Sequence, residues 1–240
     1  MSHFILTRGS KFLRNFVFGA VVLLASSCET ISFGNKIETG TIVYEISYPE
    51  IPKNSYMLDL LPQEMNTMFK NGSYRSDIIA GMGLFKTSII SNSDDDHLLH
   101  SVKLLNKKKA SKLTSAEIKS FNPQFNEIEV EFLDETKEIA GYKCKAAKVK
   151  VKSEQDWEFK VYYNNTFGIE SPNKHSPFNE IDGVLMEYEI LSNDTHMKFT
   201  AQRVITDEID DSELILEEGY EMISPEELRK EIESIFEKVQ

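Results

Sequence analysis

Between residues 127 and 152 apolar and charged residues alternate with a period of two, and few folds other than a sheet can use that pattern. Ile128, Val130 and Phe132 interleave with Glu127, Glu129 and Glu131. After a turn, Tyr142, Cys144 and Ala146 lie opposite Lys143 and Lys145. The pattern slips by one at Ala146-Ala147, so that Val149 and Val151 face inward while Lys148, Lys150 and Lys152 face out. A one-residue slip that keeps the inward face predicts a β-bulge there. The Glu and Lys rows are placed to pair across a solvated face, which reads the lysines as sheet surface and not as a binding patch. The same period marks Ile42, Tyr44, Ile46 and Tyr48, and further strands at 73–80, 84–91, 98–105, 156–164, 184–191 and 196–205. Short connections between these nine strands predict one antiparallel, largely sequential sheet.

Helices are fewer. Met57, Leu58, Leu61, Met65, Met68 and Phe69 recur at the spacing of one helical face, with Pro62 best placed as the first residue of a helix running to about residue 70. Thr114 and Glu117 read as a capping box opening a short helix to about residue 121. Ser224-Pro225-Glu226-Glu227 supplies a serine cap, proline at the first helical position and acids in the first turn. Leu228, Ile232, Ile235, Phe236 and Val239 then stripe one face of a C-terminal helix at about 225–239. The fold class is mainly β (α+β), with a single β-rich domain over residues 37–240.

The N-terminus carries an address. Arg8, Lys11 and Arg14 precede an apolar run from Phe16 to Ala25, then Ser26-Ser27-Cys28. As a helix that run spans only about 15 Å, half a hydrocarbon core, which suits a signal peptide better than a membrane span. Leu24-Ala25-Ser26-Ser27-Cys28 resembles the lipobox of Gram-negative lipoproteins, with Ala25 where an aliphatic residue is usual. This reading gives a signal peptide at 1–27, lipid attachment at Cys28 and a short tether at 28–36, in a protein exported to the cell envelope and anchored to the outer membrane. Two alternatives stay open: Ala25-x-Ser27 also suits the ordinary signal peptidase, and an uncleaved anchor is the third possibility. A diacylated cysteine would hold the protein at a membrane without a spanning helix.

Removing residues 1–27 takes away Arg8, Lys11 and Arg14 and no acid, which moves the formal charge from −12 to −15. Such an acidic body is a poor nucleic-acid binder, and membrane contact is expected through the lipid rather than through basic residues. With Cys28 lipidated, Cys144 has no disulfide partner and reads as a small core residue.

No catalytic motif emerges. There is no Gly-x-Ser-x-Gly elbow, phosphate loop or dinucleotide fingerprint, so no cofactor is expected. His97 and His100 follow Asp94-Asp95-Asp96 without a third ligand, so no metal site is expected and a polar turn explains them. His175 lies in a Pro- and Asn-rich loop, and His196 starts a strand. The acidic run 207–218 lacks the spacing of a calcium loop and reads as a solvated segment.

Lys137-Glu-Ile-Ala-Gly-Tyr-Lys-Cys-Lys-Ala146 resembles the I-x-G-Y-K-C-x-x-A signature of the GLPGLI family and related domains of unknown function. Ile181-Asp-Gly-Val-Leu-Met-Glu187 resembles the segment that names that family, with Asp182 in place of proline. The stretch Phe69-Lys-Asn-Gly-Ser-Tyr-Arg75 fits the same layout. The resemblance implies a secreted or lipid-anchored envelope protein without an established activity. Such domains are similar in strand order to the LolA/LppX-like lipoprotein carriers, which implies a curved half-barrel sheet with helices packed on its concave side and room for acyl chains. Local reasons also exist: Gly141 and Gly183 each precede a strand where positive φ is useful, and Tyr142 and Cys144 face inward, so both motifs read as marks of fold. Two functional expectations follow. The first is a hydrophobic-ligand protein, an acyl chain or other apolar small molecule packing on Met57, Leu61, Met65, Met68 and Phe69; methionine adapts to irregular ligands. The second is a structural lipoprotein that docks onto other envelope components through an apolar patch or an edge strand.

Overall fold

The computed structural model describes residues 36–121, 128–152, 157–192 and 195–236. The readings of residues 1–27, of Cys28 and of the tether short of Lys36 fall outside them. Within them a single sheet of twelve strands dominates. Its strands are β1 (Thr39–Ser47), β2 (Glu64–Lys70), β3 (Ser73–Ala80), β4 (Phe85–Ser91), β5 (Leu98–Leu104), β6 (Lys107–Leu113), β7 (Ile128–Ile139), β8 (Tyr142–Val151), β9 (Trp157–Asn164), β10 (Val184–Ser192), β11 (Thr195–Ile205) and β12 (Glu221–Met222). Helix α1 (Ser115–Phe121) follows β6, and α2 (Pro225–Phe236) follows β12.

The spatial order β12-β6-β5-β4-β3-β2-β1-β11-β10-β9-β8-β7 is two sequential meanders, β1–β6 and β7–β11, joined by the antiparallel pair of β1 with β11. Among the described residues every pairing between long strands is antiparallel, while the two-residue β12 lies parallel on β6 and isolated parallel bridges join Ile37 to Phe167 and Gly72 to Ile169. The sheet does not close. It curves strongly, because Leu113 of β6 and Ile128 of β7, near opposite ends of the strand order, line one cavity.

All nine strands read from periodicity are present. The helix expected between Pro62 and residue 70 is not. Tyr56–Asp59 forms one 3-10 turn, and residues 64–70 are strand β2, closed onto β3 by the two-residue turn Asn71-Gly72 with both φ angles positive. That turn matches the right-handed twist of a hairpin, and a helix does not start where a neighbouring strand already claims the backbone donors. The chain also forms β6 and β12, which the periodicity does not show.

The predicted bulge is displaced. Strand β8 keeps one register with β9 from Lys145 to Val151, and the irregularity lies on β7, between Leu133 and Thr136. Residues 144 and 146 therefore point to the opposite face from 147, 149 and 151. Both faces are buried: Cys144 and Ala146 join the large core with Ile42, Tyr44, Phe69 and Phe199, while Ala147, Val149 and Val151 pack with Phe159, Phe178 and Ile181. The expected charge pairing is present in part. Lys152 bonds Glu129 across the hairpin, and Lys148 and Lys150 pair with Glu158 of β9.

The stretch 207–218 is not merely solvated. It runs as a strap across one face of β2, β3 and β4. Lys70 holds Asp211 at 2.9 Å and Glu208 at 3.1 Å, Arg75 donates to the Ile215 carbonyl at 2.8 Å, and Lys86 pairs with Glu217 at 3.2 Å. Ile209 and Leu214 are buried beneath it. The strap then passes the sheet edge at β12 and delivers α2 to the inner face, where Leu228 packs on Val102 and Leu113.

Candidate functional site

The inner face of β4–β6 is apolar where α2 crosses it. The register sets Ile89 of β4 beside His100 of β5, and Leu98 beside Leu113 of β6, so all four share a face. Both helices form by the local rules their sequences carry. Thr114 accepts from the Glu117 amide at 3.2 Å while the Glu117 carboxylate accepts the Thr114 amide at 2.8 Å, and Ser224 and Glu227 repeat the arrangement. Each helix turns apolar residues toward the sheet: Ile118 and Phe121 from α1, Leu228 and Ile232 from α2. They do not fill the space. A cavity of about 550 Å³ remains between the sheet, both helices and the loop 174–180, with Ile128 and Ile190 on its far wall. That volume is typical of a small-molecule site, about 300–1,000 Å³.

Polar side chains share this wall, His100, Ser115, Lys119, Lys174, His175 and Arg229 among them. His100 donates or accepts with Thr87 through Nε2 at 2.9 Å, and burial pushes it down to about 4, so the ring is neutral at pH 7. His175 Nδ1 meets Ser115 Oγ at 2.9 Å, while its Nε2 is buried without a partner. Burial is also the main cause that lowers the His175 pKa. No carboxylate hydrogen-bonds His175 among the described residues, so the Ser115–His175 pair lacks the third group that orients a catalytic imidazole. No three His, Cys, Asp or Glu side chains converge to hold a metal among the described residues.

His100 makes stability depend on pH. An unfolded histidine takes a proton near pH 6.5, roughly, and folded His100 refuses it until about 4. Its contribution is therefore fully present above about pH 6.5 and is lost as pH falls toward the folded value, by at most about 3 kcal/mol. Urea midpoints measured at about pH 7.5 and about pH 4.5 should differ less in His100→Gln than in the native chain, because glutamine can keep a bond to Thr87 and takes no proton.

None of the five side chains that sequence singles out for ligand contact lines this cavity. Met65 and Phe69 alternate onto the inner face of β2 and are buried in the large core. Met68 points to the strap face, level with Arg75. Leu61 packs at the margin of that core, and Met57 is nearly half exposed. The cavity lies instead across β4–β6, and its polar residues Ser115, His100 and His175 have no sequence spacing in common. Only the capping box at Thr114 places one of them in advance.

The two family-like passages meet in space. Lys137 bonds Glu187 at 2.6 Å, Lys198 adds a second ion pair at 3.1 Å, and Cys144 packs in the same cluster as Val184 and Met186. Burial raises the Glu187 carboxyl, but the hydrogen bonds from Lys137 and Lys198 outweigh it and hold its pKa below the usual carboxylate range. Cys144 is fully buried, and burial pushes its thiol up to about 11, which leaves it protonated and inert. Gly141 and Gly183 both take positive φ. At Gly183 a Cβ would sit 2.9 Å from the Tyr163 ring, and Ala140-Gly141 makes the tight turn between β7 and β8. These residues hold the fold.

No family model matches the chain, and no curated protein matches it. Among solved structures, the chain is similar to one described as the crystal structure of MucB, with 7% identity and a TM-score of 0.32, over 76% of this chain and 59% of that one. The chain thus spans about three fifths of the length of MucB, and a likeness at that level assigns it to no family.

Proposed function

We propose that this protein is a lipid-anchored component of a Gram-negative cell envelope that binds an apolar or amphiphilic ligand between its curved sheet and its two helices. The observation that carries the reading is the cavity of about 550 Å³ walled by Ile89, Leu98, Leu113, Phe121, Leu228 and Ile232. A wall that combines apolar side chains with polar and charged ones suits an amphiphile, whose tail packs on the former and whose head meets the latter. Placement in the envelope rests on the sequence of residues 1–28 and on the resemblance to GLPGLI-type and LolA/LppX-like proteins. Metabolic labelling with a radioactive fatty acid should mark the native chain and not Cys28→Ala.

The ligand reading is tested on the chain from Gly34 onward, which forms its own compact unit and contains every residue of the three hydrophobic clusters. Native mass spectrometry and solvent extraction of that protein should recover a stoichiometric amphiphile. Filling the cavity with Leu113→Trp should reduce its yield. Recovery of protein free of any apolar molecule, with no uptake of added fatty acid, would sink the reading.

A second reading has its own observation. Ile79, Leu84 and Leu105 are about half exposed and Met82 fully so, all at the β3–β4 and β5–β6 turns, which lie at one end of the sheet. Leu105 donates its amide to the Leu84 carbonyl at 2.8 Å, so the two turns present one surface. Such a patch suits docking onto another envelope protein. A photo-crosslinker at position 82 that captures one repeated partner in cells, from a protein that carries no lipid, would favour this alternative.

A further inference from the structure

We propose that the cavity selects amphiphiles with a carboxylate head, received by His175 together with Lys119 and Lys174. This deepens the ligand-binding reading and rests on it. The walls of the cavity are not uniform. Sheet and α2 contribute Ile89, Leu98, Leu113, Leu228 and Ile232, whereas Ser115, Lys119, Lys174 and His175 come from α1 and the adjoining loop. Those two segments are joined by the bond between Ser115 and His175, and Lys119 follows Ser115 by four residues, on the same side of α1. These four groups therefore gather at one region of the wall, apart from His100 on the sheet and from Arg229 and Glu233 on α2.

The character of that region is a donor without an acceptor. His175 is nine-tenths buried, and among the described residues Nε2 has no partner. The Ser115 hydroxyl lies 2.9 Å from Nδ1 and 3.5 Å from the Lys174 carbonyl. In the tautomer in which Ser115 donates to Nδ1, the ring proton sits on Nε2, where a carboxylate oxygen would receive it. A buried donor in that state is costly, and a ligand oxygen relieves it.

The charges point the same way. Lys119 is exposed and in no ion pair among the described residues, and Lys174 donates only to the Asp95 carbonyl, at 2.7 Å. Arg229, the third cation of the wall, is bound to Glu226 and Glu233. The acid of the wall outside such pairs is Glu180, which is exposed and also borders the groove of Glu129, Glu131 and Lys150. Asp95 and Asp96 also lie near His175, but the Asp95 carboxylate is engaged by His97 and Lys112. A chain with a net charge of −12 still turns toward its cavity two lysines that form no ion pair among the described residues. Charge-assisted bonds to a carboxylate are about twice as strong as neutral ones, so the head should decide affinity among ligands with equal tails.

The test uses the chain from Gly34 onward and an apolar naphthylamine dye displaced by dodecanoate, dodecanol or dodecyl phosphate. Dodecanoate should displace the dye at roughly tenfold lower concentration than dodecanol. The alkyl phosphate tells whether the site asks for any anion or for a carboxylate, and tighter binding of the phosphate would overturn the assignment of the head. His175→Phe and Lys119→Met should each reduce the preference for the acid over dodecanol. Lys119 is exposed, so its variant folds even if His175→Phe does not. Equal displacement by acid and alcohol in the native protein, or a preference that survives both variants, overturns the proposal while leaving the ligand reading intact. Failure of the dye and of all three ligands to bind ends both.

Discussion

Arg75→Ala should lower the stability of the protein by about 3 kcal/mol or more, since removing one member of a buried ion pair strands the other. The Arg75 side chain is 4% exposed, and it bonds Asp77 at 2.8 Å, the Ile215 carbonyl at 2.8 Å and Glu217 at 3.1 Å. Asp77 is nearly as buried. Burial raises its carboxyl, but the bonds from Ser88, Arg75 and Lys86 outweigh that and hold its pKa below the ordinary carboxylate range. Alanine at position 75 leaves that carboxylate with Lys86 as its remaining cation, and leaves the Ile215 carbonyl without its donor. Glu217→Gln is the control. Glu217 is half exposed, so its pairs with Arg75 and Lys86 are worth at most about 1 kcal/mol. Replacing Arg75 and Asp77 together by Met and Leu should recover most of the loss, because apolar substitutes of similar volume carry no desolvation penalty. Urea denaturation measures all four proteins. Limited proteolysis adds a local reading: Arg75→Ala should be cut within 207–218 before the sheet opens, because that strap loses its central clasp. A loss under about 1 kcal/mol would mean that the strap is held by the burial of Ile209 and Leu214 and by the Lys70 and Lys86 ion pairs rather than by Arg75.

The clasp also shows what local sequence could and could not reveal. Nine strands are legible because apolar residues alternate with polar or charged ones along much of each, which is the condition under which a period of two appears. Strand β6 escapes that rule. Its buried members are Ala110, Ser111 and Leu113, flanked by lysines, since the strap and β12 approach it from one side and α2 from the other. A strand covered on both faces by late-arriving segments has no reason to alternate. Strand β2 was lost to a coincidence of periods: Met65 and Phe69 are four apart, a spacing that fits one helical face and one strand face equally. Asn71-Gly72 resolves the ambiguity, because an Asn-Gly pair after alternating residues is a strong hairpin signal. The bulge was misplaced for a related reason. Apolar residues on both sides of Ala146-Ala147 look like a slip of one face, and only the two cores on either side of β8 show that both faces are covered. Caps, by contrast, are local chemistry, and Thr114–Glu117 and Ser224–Glu227 are found where the sequence puts them. The cavity belongs to the other extreme. Its walls come from β4–β6, α1, α2, β7, β10 and a loop, gathered by the curvature of the sheet, and no window of sequence contains more than a fragment of it.

Phe69→Ala should be the most damaging change in the core, and it distinguishes the core under β2 from the cavity across β4–β6 as the place of ligand contact. Phe69 is fully buried on the inner face of β2, with its ring edge-on to Phe167 at 5.8 Å. Gly40 sits opposite on β1, where a side chain would press within 3.4 Å of the ring and 2.5 Å of the Ile205 carbonyl, so the ring occupies space that no neighbouring side chain can reclaim. Truncation there should cost about 3–5 kcal/mol, a shift of roughly 6–20 °C in Tm for a chain of this size. If Phe69 were a ligand contact, the outcome would invert: a ring lining an open site is half solvated in the free protein, so its removal would leave Tm nearly unchanged and weaken dye binding. The expected result is a large fall in Tm with dye affinity unaltered in the folded fraction, because the cavity of His175 and Leu113 lies across β4–β6 and shares no wall residue with Phe69. Leu113→Trp should show the opposite pairing, a strong loss of dye with a smaller loss of stability, since the added volume enters space that is already empty. The crossed pattern is the decisive one, because a single variant that loses both properties can always be explained by unfolding.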